Sequence, residues 1–249
     1  MMNSRKLITT LLLMVAAFTT SHSASAAISL DRTRIVFSGQ EKSTSLGVAN
    51  ENKQYPYLAQ SWLEDEQGRR VNSPLTALPP LQRIEPGARG QVKIQALDNI
   101  AQALPQDRES LFYFNLREIP PVSDKPNTLQ IALQTRIKMF YRPAALASGA
   151  EEGVWQKNLT LTKQGDRYEI SNPSPYYVTV VDVARGLKSA SVKEFMPLMI
   201  EPFGKKPLTV GVAAAGSSPV LTLIDDYGAR PQAQFTCSGS TCRVSSVSR

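Results

Sequence analysis

Few residues in this chain could carry out covalent or metal chemistry. It has one histidine, His22, and two cysteines, Cys237 and Cys242. His22 falls in a predicted leader peptide, so the mature chain is expected to contain no histidine. This excludes Ser-His-Asp and Cys-His catalysis and His-ligated metal sites. We predict no catalytic residue, no metal site, no cofactor and no enzyme activity, although dispersed carboxylates can still meet in a fold.

The two cysteines flank a turn-like run, Ser-Gly-Ser-Thr, between strand-forming residues. We predict that Cys237 and Cys242 form a disulfide that closes a C-terminal hairpin. So small a ring contributes about 2 kcal/mol in the chain-entropy model. A redox-active pair is the alternative, and it is disfavoured because neither the spacing nor a helix N-terminus would activate a thiol.

The N-terminus has the pattern of a secretory signal peptide. Arg5 and Lys6 precede an apolar run at 7–18, and residues 24–26 read Ala-Ser-Ala, which is a cleavage signal. A membrane anchor is the alternative, but the run is interrupted by threonines and is shorter than the roughly 20 apolar residues of a span. We therefore predict a leader at 1–26 and a mature chain in an oxidising compartment, the periplasm or the cell exterior.

The net charge of +7 makes the chain modestly basic. Nucleic acid is not the expected partner, because no basic stripe with interleaved aromatic residues is present and the chain is exported. Weak attraction to acidic protein clients and a solvated surface without a partner both fit this charge.

Short alternating apolar runs between turn signals predict an all-β fold, since helical periodicity is almost absent. The roughly 220 residues of the mature chain fit two domains, at 27–141 and 142–249. A linker at about 142–151 is marked by proline and small residues, and the polar tail at 244–249 is expected to fray. The predicted strands lie near 28–37, 43–49, 56–63, 81–85, 90–96, 111–117 and 128–141, then 153–163, 167–171, 176–185, 194–200, 207–213, 219–225 and 233–237.

The seven strands of the first half suggest an immunoglobulin-like sandwich. In the first strand the apolar pattern changes phase, because Ile28 and Leu30 have one parity and Ile35 and Phe37 the other. This change predicts that the first strand switches from one sheet to the other.

The segment before residue 141 has the most regular alternation in the chain. Leu129, Ile131 and Leu133 share one parity, and polar residues hold the other. An ordinary half-buried strand gives this pattern. An edge strand that pairs with another chain gives it too, with the backbone supplying affinity and alternate side chains filling pockets. The pattern leaves both interpretations open.

The run 104–121, LPQDRESLFYFNLREIPP, resembles the signature of periplasmic pilus-assembly chaperones. The resemblance continues through 28–34, 129–135, 226–231 and the cysteine pair. It implies two immunoglobulin-like domains set at an angle, like a boomerang, around a cleft. The cleft would bind the C-terminus of a pilus subunit, an edge strand would complete the subunit's sandwich, and an outer-membrane usher would receive the subunit.

Carried over to this sequence, the resemblance assigns four sets of residues. They are the donor residues Leu129, Ile131 and Leu133, the cleft anchors Arg34 and Lys138, the interdomain ion pairs of Glu109, Arg142 and Asp226, and the usher-facing residues Leu58, Gln60 and Pro80. The usher assignment is the weakest, since Leu58 also fits an ordinary core position.

A structural pilus subunit or adhesin that receives a strand is the main alternative to a chaperone. Such subunits carry an N-terminal extension, whereas Ala27-Ile-Ser-Leu leads directly into the first strand. No G-x-x-x-x-G-K-[ST] motif is present, so subunit capture and release are expected to need no ATP. The sequence leaves open which pilus is served and whether the free chain self-associates through its donor strand.

Overall fold

The computed structural model describes residues 26–147 and 154–248. Most of the predicted leader and residues 148–151 of the predicted linker lie outside this range. The prediction of an all-β fold is confirmed. The strands are β1 (Ile28–Leu30), β2 (Arg34–Ser38), β3 (Ser43–Asn50), β4 (Tyr57–Asp65), β5 (Arg70–Val71), β6 (Leu75–Leu78), β7 (Leu81–Ile84), β8 (Arg89–Ala96), β9 (Ser110–Ile119), β10 (Gln134–Arg142), β11 (Thr160–Gln164), β12 (Arg167–Ser171), β13 (Val178–Ala184), β14 (Leu198–Ile200), β15 (Lys205–Gly211), β16 (Val220–Leu223), β17 (Gln232–Ser238) and β18 (Thr241–Ser248).

The helices that the structure describes are short. Two short α-helices, α1 (Ile100–Ala103) and α2 (Val212–Ala215), accompany 3-10 helices at Ala144–Leu146 and Val154–Asn158. Within 26–147 and 154–248, none of these helices has the length and apolar character to cross a bilayer.

The first domain is a sandwich of two sheets. One sheet has the order β1-β3-β8-β6, and the other has the order β2-β10-β9-β4-β5, with β7 also paired to β4. Phe37, Leu46, Phe114 and Met139 are fully buried in the core between the sheets. Alternate residues of each strand therefore face this core and leave the others on the outer surface.

The predicted sheet switch near the N-terminus is confirmed. Strand β1 pairs antiparallel with β3 in one sheet, whereas β2 pairs parallel with β10 in the other. Ile28 and Phe37 are both buried, although they have opposite parities. A break between β1 and β2 lets both side chains reach the core, because one regular strand would turn one of them outward.

The second domain contains one curled sheet with the order β14-β13-β16-β17-β18-β11-β12-β15. Leu161, Ile170, Leu221 and Phe235 form part of its core. Cys237 and Cys242 are bonded to each other across the β17–β18 hairpin. The prediction of a frayed tail is wrong through Ser248, because β18 pairs with β17 as far as Ser248.

Three predicted strands begin at least four residues later than expected, one of them the strand predicted at 194–200, which begins at Leu198. The strand predicted at 128–141 begins only at Gln134, since β9 on its flank runs into Pro120 and Pro121, which have no N–H to extend the ladder. The run predicted as a strand at 153–163 begins with a 3-10 helix and becomes a strand at Thr160. Strands β5 and β6 were not predicted.

Candidate functional site

The segment before β10 exposes three large apolar side chains. Leu129 is 86% exposed, Ile131 67% and Leu133 46%. Their shared parity places them on one side of an extended segment. None of the three belongs to the hydrophobic core of the first domain, so the half-buried strand interpretation does not apply to residues 129–133. A cluster of exposed apolar side chains indicates an interaction surface.

Strand β10 has an open backbone edge beside this segment. Along one side, Gln134 to Tyr141 pair with β9, but on the other side β2 pairs only from Lys138 to Arg142. Within the described residues, 134–137 therefore have no strand on the β2 side. Long open edges are normally protected against pairing with other chains. An open edge next to exposed alternating apolar residues suits strand addition by a partner.

Two hydrogen bonds tether the exposed segment to the end of β9. The Glu118 amide donates to the Leu133 carbonyl at 3.0 Å, and Gln130 Nε2 donates to the Pro121 carbonyl at 2.5 Å. The segment thus follows the direction of β10 without being incorporated into the sheet.

Arg34 and Lys138 lie side by side, because the parallel register of β2 and β10 pairs them directly. Burial lowers the pKa of Arg34. Burial also lowers the pKa of Lys138, and the neighbouring Arg34 charge lowers it further. The buried Nε of Arg34 has no hydrogen-bond partner, and no ion pair in the described residues involves either side chain. Two adjacent, partly buried cations with spare donors favour binding of an anion.

A pocket of about 590 Å³ opens beside Arg34. Thr33 and Arg34 of the first domain line it together with Asp226 and Tyr227 of the second. Lys138 is not among the lining residues, and lies beside Arg34 on the adjacent strand. The pocket therefore lies between the domains, and both domains supply its walls.

Arg142, at the end of β10, joins the two domains. Its Nε donates to Glu109 Oε1 at 2.9 Å, and its Nη1 and Nη2 donate to the Asp226 carboxylate at 2.7 and 3.0 Å. The other oxygen of Glu109 accepts the Tyr177 amide at 2.7 Å. Glu109 belongs to the first domain, and Asp226 and Tyr177 belong to the second. One buried arginine therefore couples the orientation of both domains.

Burial sets the protonation behaviour of this network. It raises the pKa of Glu109 to about 7, against the lowering effects of Arg142 and of the Tyr177 amide. Burial alone would lower the pKa of Arg142, but hydrogen bonding to Asp226 and the charges of both carboxylates raise it. Arg142 therefore stays charged, and Glu109 depends on Arg142 to remain ionised.

We expect Arg142→Ala to reduce the free energy of unfolding by about 3–5 kcal/mol, because it leaves Glu109 buried without its counterion.

The raised pKa of Glu109 also sets the pH dependence of this loss of stability. A carboxyl whose pKa is higher in the folded state contributes stability at low pH and loses it as pH rises through that pKa. Without Arg142 the pKa of Glu109 rises further, so the variant continues to lose stability at pH values where wild type no longer does. The stability difference between wild type and variant should therefore be smallest at about pH 5 and largest above about pH 8. Urea melts at both pH values measure it.

Arg69→Ala is the matched control, since Arg69 pairs with Asp65 while remaining largely exposed. An exposed pair is worth no more than about 1 kcal/mol, so this variant should melt nearly as wild type. Equal, pH-independent losses in both variants would contradict the role assigned to Arg142.

The residues predicted to face an usher lie around a smaller pocket of about 310 Å³. Gln60 and Pro80 both line it, and the Ser61 amide donates to the Pro80 carbonyl at 3.0 Å. Leu58 lies two residues along β4 and is half-buried, outside the lining. Sequence reasoning missed Trp62 in this pocket, where the Arg70 guanidinium lies 4.3 Å from the ring centroid.

The described residues around these surfaces offer little for metal or thiol chemistry. In the part of the chain that the structure describes, no three His, Cys, Asp or Glu side chains cluster as a metal site would require. Cys237 and Cys242 are both in the disulfide. The site instead offers hydrogen-bond donors, positive charge and exposed apolar side chains, which are suited to binding a polypeptide.

Comparisons with known proteins agree with this architecture. Residues 27–147 match the family model described as pili and flagellar-assembly chaperone, PapD N-terminal domain, and 154–235 match that of the pili assembly chaperone PapD C-terminal domain. The chain is 49% identical to the probable fimbrial chaperone YfcS of Escherichia coli K12 over 94% of this chain and 92% of that protein. It is 52% identical to the chaperone protein PapD of Escherichia coli over 89% and 91%.

A solved structure shows the same fold. The periplasmic chaperone SfaE is 30% identical and superimposes with a TM-score of 0.68, covering 84% of this chain and all of SfaE. Both family models, the relatives and this structure lead to one conclusion: the chain belongs to the PapD family of pili assembly chaperones.

Proposed function

We propose that this protein is a periplasmic chaperone that binds pilus subunits by donating residues 129–133 as a β-strand and then delivers them to an outer-membrane usher. The observation that carries the proposal is the row of exposed Leu129, Ile131 and Leu133 beside the open edge of β10. A subunit with an incomplete sandwich would gain both a missing strand and three apolar side chains for its core.

Binding free energy comes from both parts of the donated strand. Each of the three side chains contributes about 1.5–3 kcal/mol when fully buried. The unpaired backbone of 134–137 supplies hydrogen bonds to the incoming strand. The same groups stay exposed in the free chain, which also makes self-association through this edge a competing reaction.

Arg34 and Lys138 would bind the terminal carboxylate of the subunit. A carboxylate has about four lone-pair sites, so it can accept from the Arg34 guanidinium and the Lys138 ammonium together. Fixing the last residue also fixes which subunit side chains meet Leu129, Ile131 and Leu133. A one-residue slip would turn every apolar group to the wrong face.

The remaining assignments concern the frame around this site. We propose an N-terminal domain at 27–141 and a C-terminal domain at 142–249, with the interdomain pocket kept in shape by the ion pairs of Arg142. Gln60 and Pro80, with Leu58 beside them, would face the usher.

A cleaved leader at 1–26 would place the protein in the periplasm. We propose no enzyme activity, so transfer is driven by binding free energy and not by ATP.

Co-expression tests this function. The protein and a tagged pilus subunit encoded beside it are produced with their leaders, and the subunit is captured from a periplasmic extract. We expect a stable one-to-one complex, and we expect that ATP with magnesium leaves the release rate unchanged. Recovery of the subunit alone, although both proteins are present and folded, would contradict the proposal. An ATP-accelerated release would contradict the proposed energy source.

A further inference from the structure

Tyr227 lies on the wall of the interdomain pocket with its side chain 93% exposed. It belongs to the second domain, whereas Arg34, on the same pocket, belongs to the first. A tyrosine so exposed adds nothing to the core of its own domain. Tyrosine combines a flat apolar face with few rotatable bonds, so contacts to it cost little conformational entropy.

The backbone that carries Tyr227 is held on both sides. Asp225 Oδ1 accepts the amides of Tyr227 at 3.0 Å and Ala229 at 2.8 Å. Directly before Tyr227, the Asp226 carboxylate is bound twice by Arg142. The Tyr227 ring is thus exposed and does not pack against its own domain. The backbone that carries it is positioned by the interdomain ion pairs.

The turn of Tyr227 also abuts the first domain next to Arg34. Gly228 has a φ of +85°, and a Cβ at this glycine would lie 2.8 Å from Thr33 Oγ1. Thr33 directly precedes Arg34 and lines the same pocket. The charges of Asp226 and Asp225 act on Arg34. Tyr227 is therefore a near neighbour of the group proposed to bind the terminal carboxylate.

We infer that Tyr227 packs against the side chain of the last residue of the bound subunit, so that the pocket distinguishes subunits by that residue as well as by its carboxylate. This inference rests on the proposed function. When the terminal carboxylate is held at Arg34, the side chain of the subunit's last residue lies next to the pocket wall that carries Tyr227. An apolar or aromatic side chain gains contact with the ring.

Fluorescent peptides that copy the C-terminal strand of the co-expressed subunit, ending in Phe, Leu or Gly, test the inference. For wild type we expect the Phe-ended acid to bind about three- to tenfold more tightly than the Gly-ended acid. Tyr227→Ala should reduce this ratio to less than about twofold, with the acid-over-amide preference unchanged. Tyr227→Phe should retain the ratio, since it retains the ring. Tyr55→Ala, at another exposed tyrosine outside the pocket lining, is the matched control and should also retain it.

The outcomes separate this inference from the proposed function. If Tyr227→Ala keeps the wild-type dependence on the last residue while acid is still preferred over amide, the inference on Tyr227 is overturned and the anchor stands. If wild type binds acid and amide equally, the anchor fails and the inference fails with it. A melting temperature equal to that of wild type shows that Tyr227→Ala is folded.

Discussion

Ile131→Asp should abolish subunit binding, with a loss of at least about 1000-fold, while the free chain melts as wild type does. The substitution removes the central apolar side chain of the donated strand and would place an unpaired carboxylate in the subunit's core. In the free chain, Ile131 is 67% exposed, so aspartate there remains in water. The effect should therefore appear only in the complex.

Isothermal titration with the purified subunit measures the affinity, and thermal melts of the free variants measure the stability of the chain. Val122→Asp is the matched control, because Val122 is also apolar and even more exposed but lies before the donor segment. We expect it to bind as wild type. If Ile131→Asp lowered the melting temperature as a core substitution does, or bound the subunit normally, residues 129–133 would not be the donated strand.

Arg34→Ala and Lys138→Ala should each weaken subunit binding by a factor of roughly 30 or more, since truncating one partner of a buried charged contact costs about 2–5 kcal/mol. Wild type should bind a free-acid peptide much more tightly than the same peptide with a C-terminal amide. Both variants should lose this preference. Removing one of two adjacent cations relieves their repulsion, so the free chain should not be destabilised.

Lys138 adds a pH dependence to this result. Its pKa in the free chain lies below the ordinary 10.5, so its charge is lost at lower pH than that of an exposed lysine. Affinity for the acid peptide should fall as alkaline pH removes this charge, and Lys138→Ala should show no such fall. Lys157→Ala, at an exposed lysine of the second domain, is the control. Equal binding of acid and amide by wild type would contradict the anchor.

Local pattern in the sequence was enough for the fold class. Alternation and turn signals predicted an all-β chain, and the phase change between Ile28 and Phe37 predicted the switch between sheets, because side-chain direction in a strand depends only on parity. The sequence did not predict that the strand begins at Gln134. That boundary depends on Pro120 and Pro121, which directly follow β9, the partner of β10 in the sheet, and lie well before Gln134 in the chain.

In the candidate site, too, some residues were predicted from the sequence and others became evident only in the structure. The resemblance to pilus chaperones supplied Arg34, Lys138 and the three donor residues, and the parity of Leu129, Ile131 and Leu133 is evident without a structure. Tyr227 lies within the run 226–231, but the sequence pattern assigns it no role. Its exposure becomes informative only with the pocket around it.

The sequence by itself determined which side chains share a face, because parity is a local property of the backbone. Only the tertiary structure decided that β10 has an open edge at 134–137 and that Arg34 and Lys138 are direct neighbours in the sheet. The resemblance implied the ion pairs of Arg142, and the structure supplied their geometry. Each of these features depends on pairing between segments far apart in the chain. Such pairing is selected by the burial of two whole sheets, so no local pattern reports it.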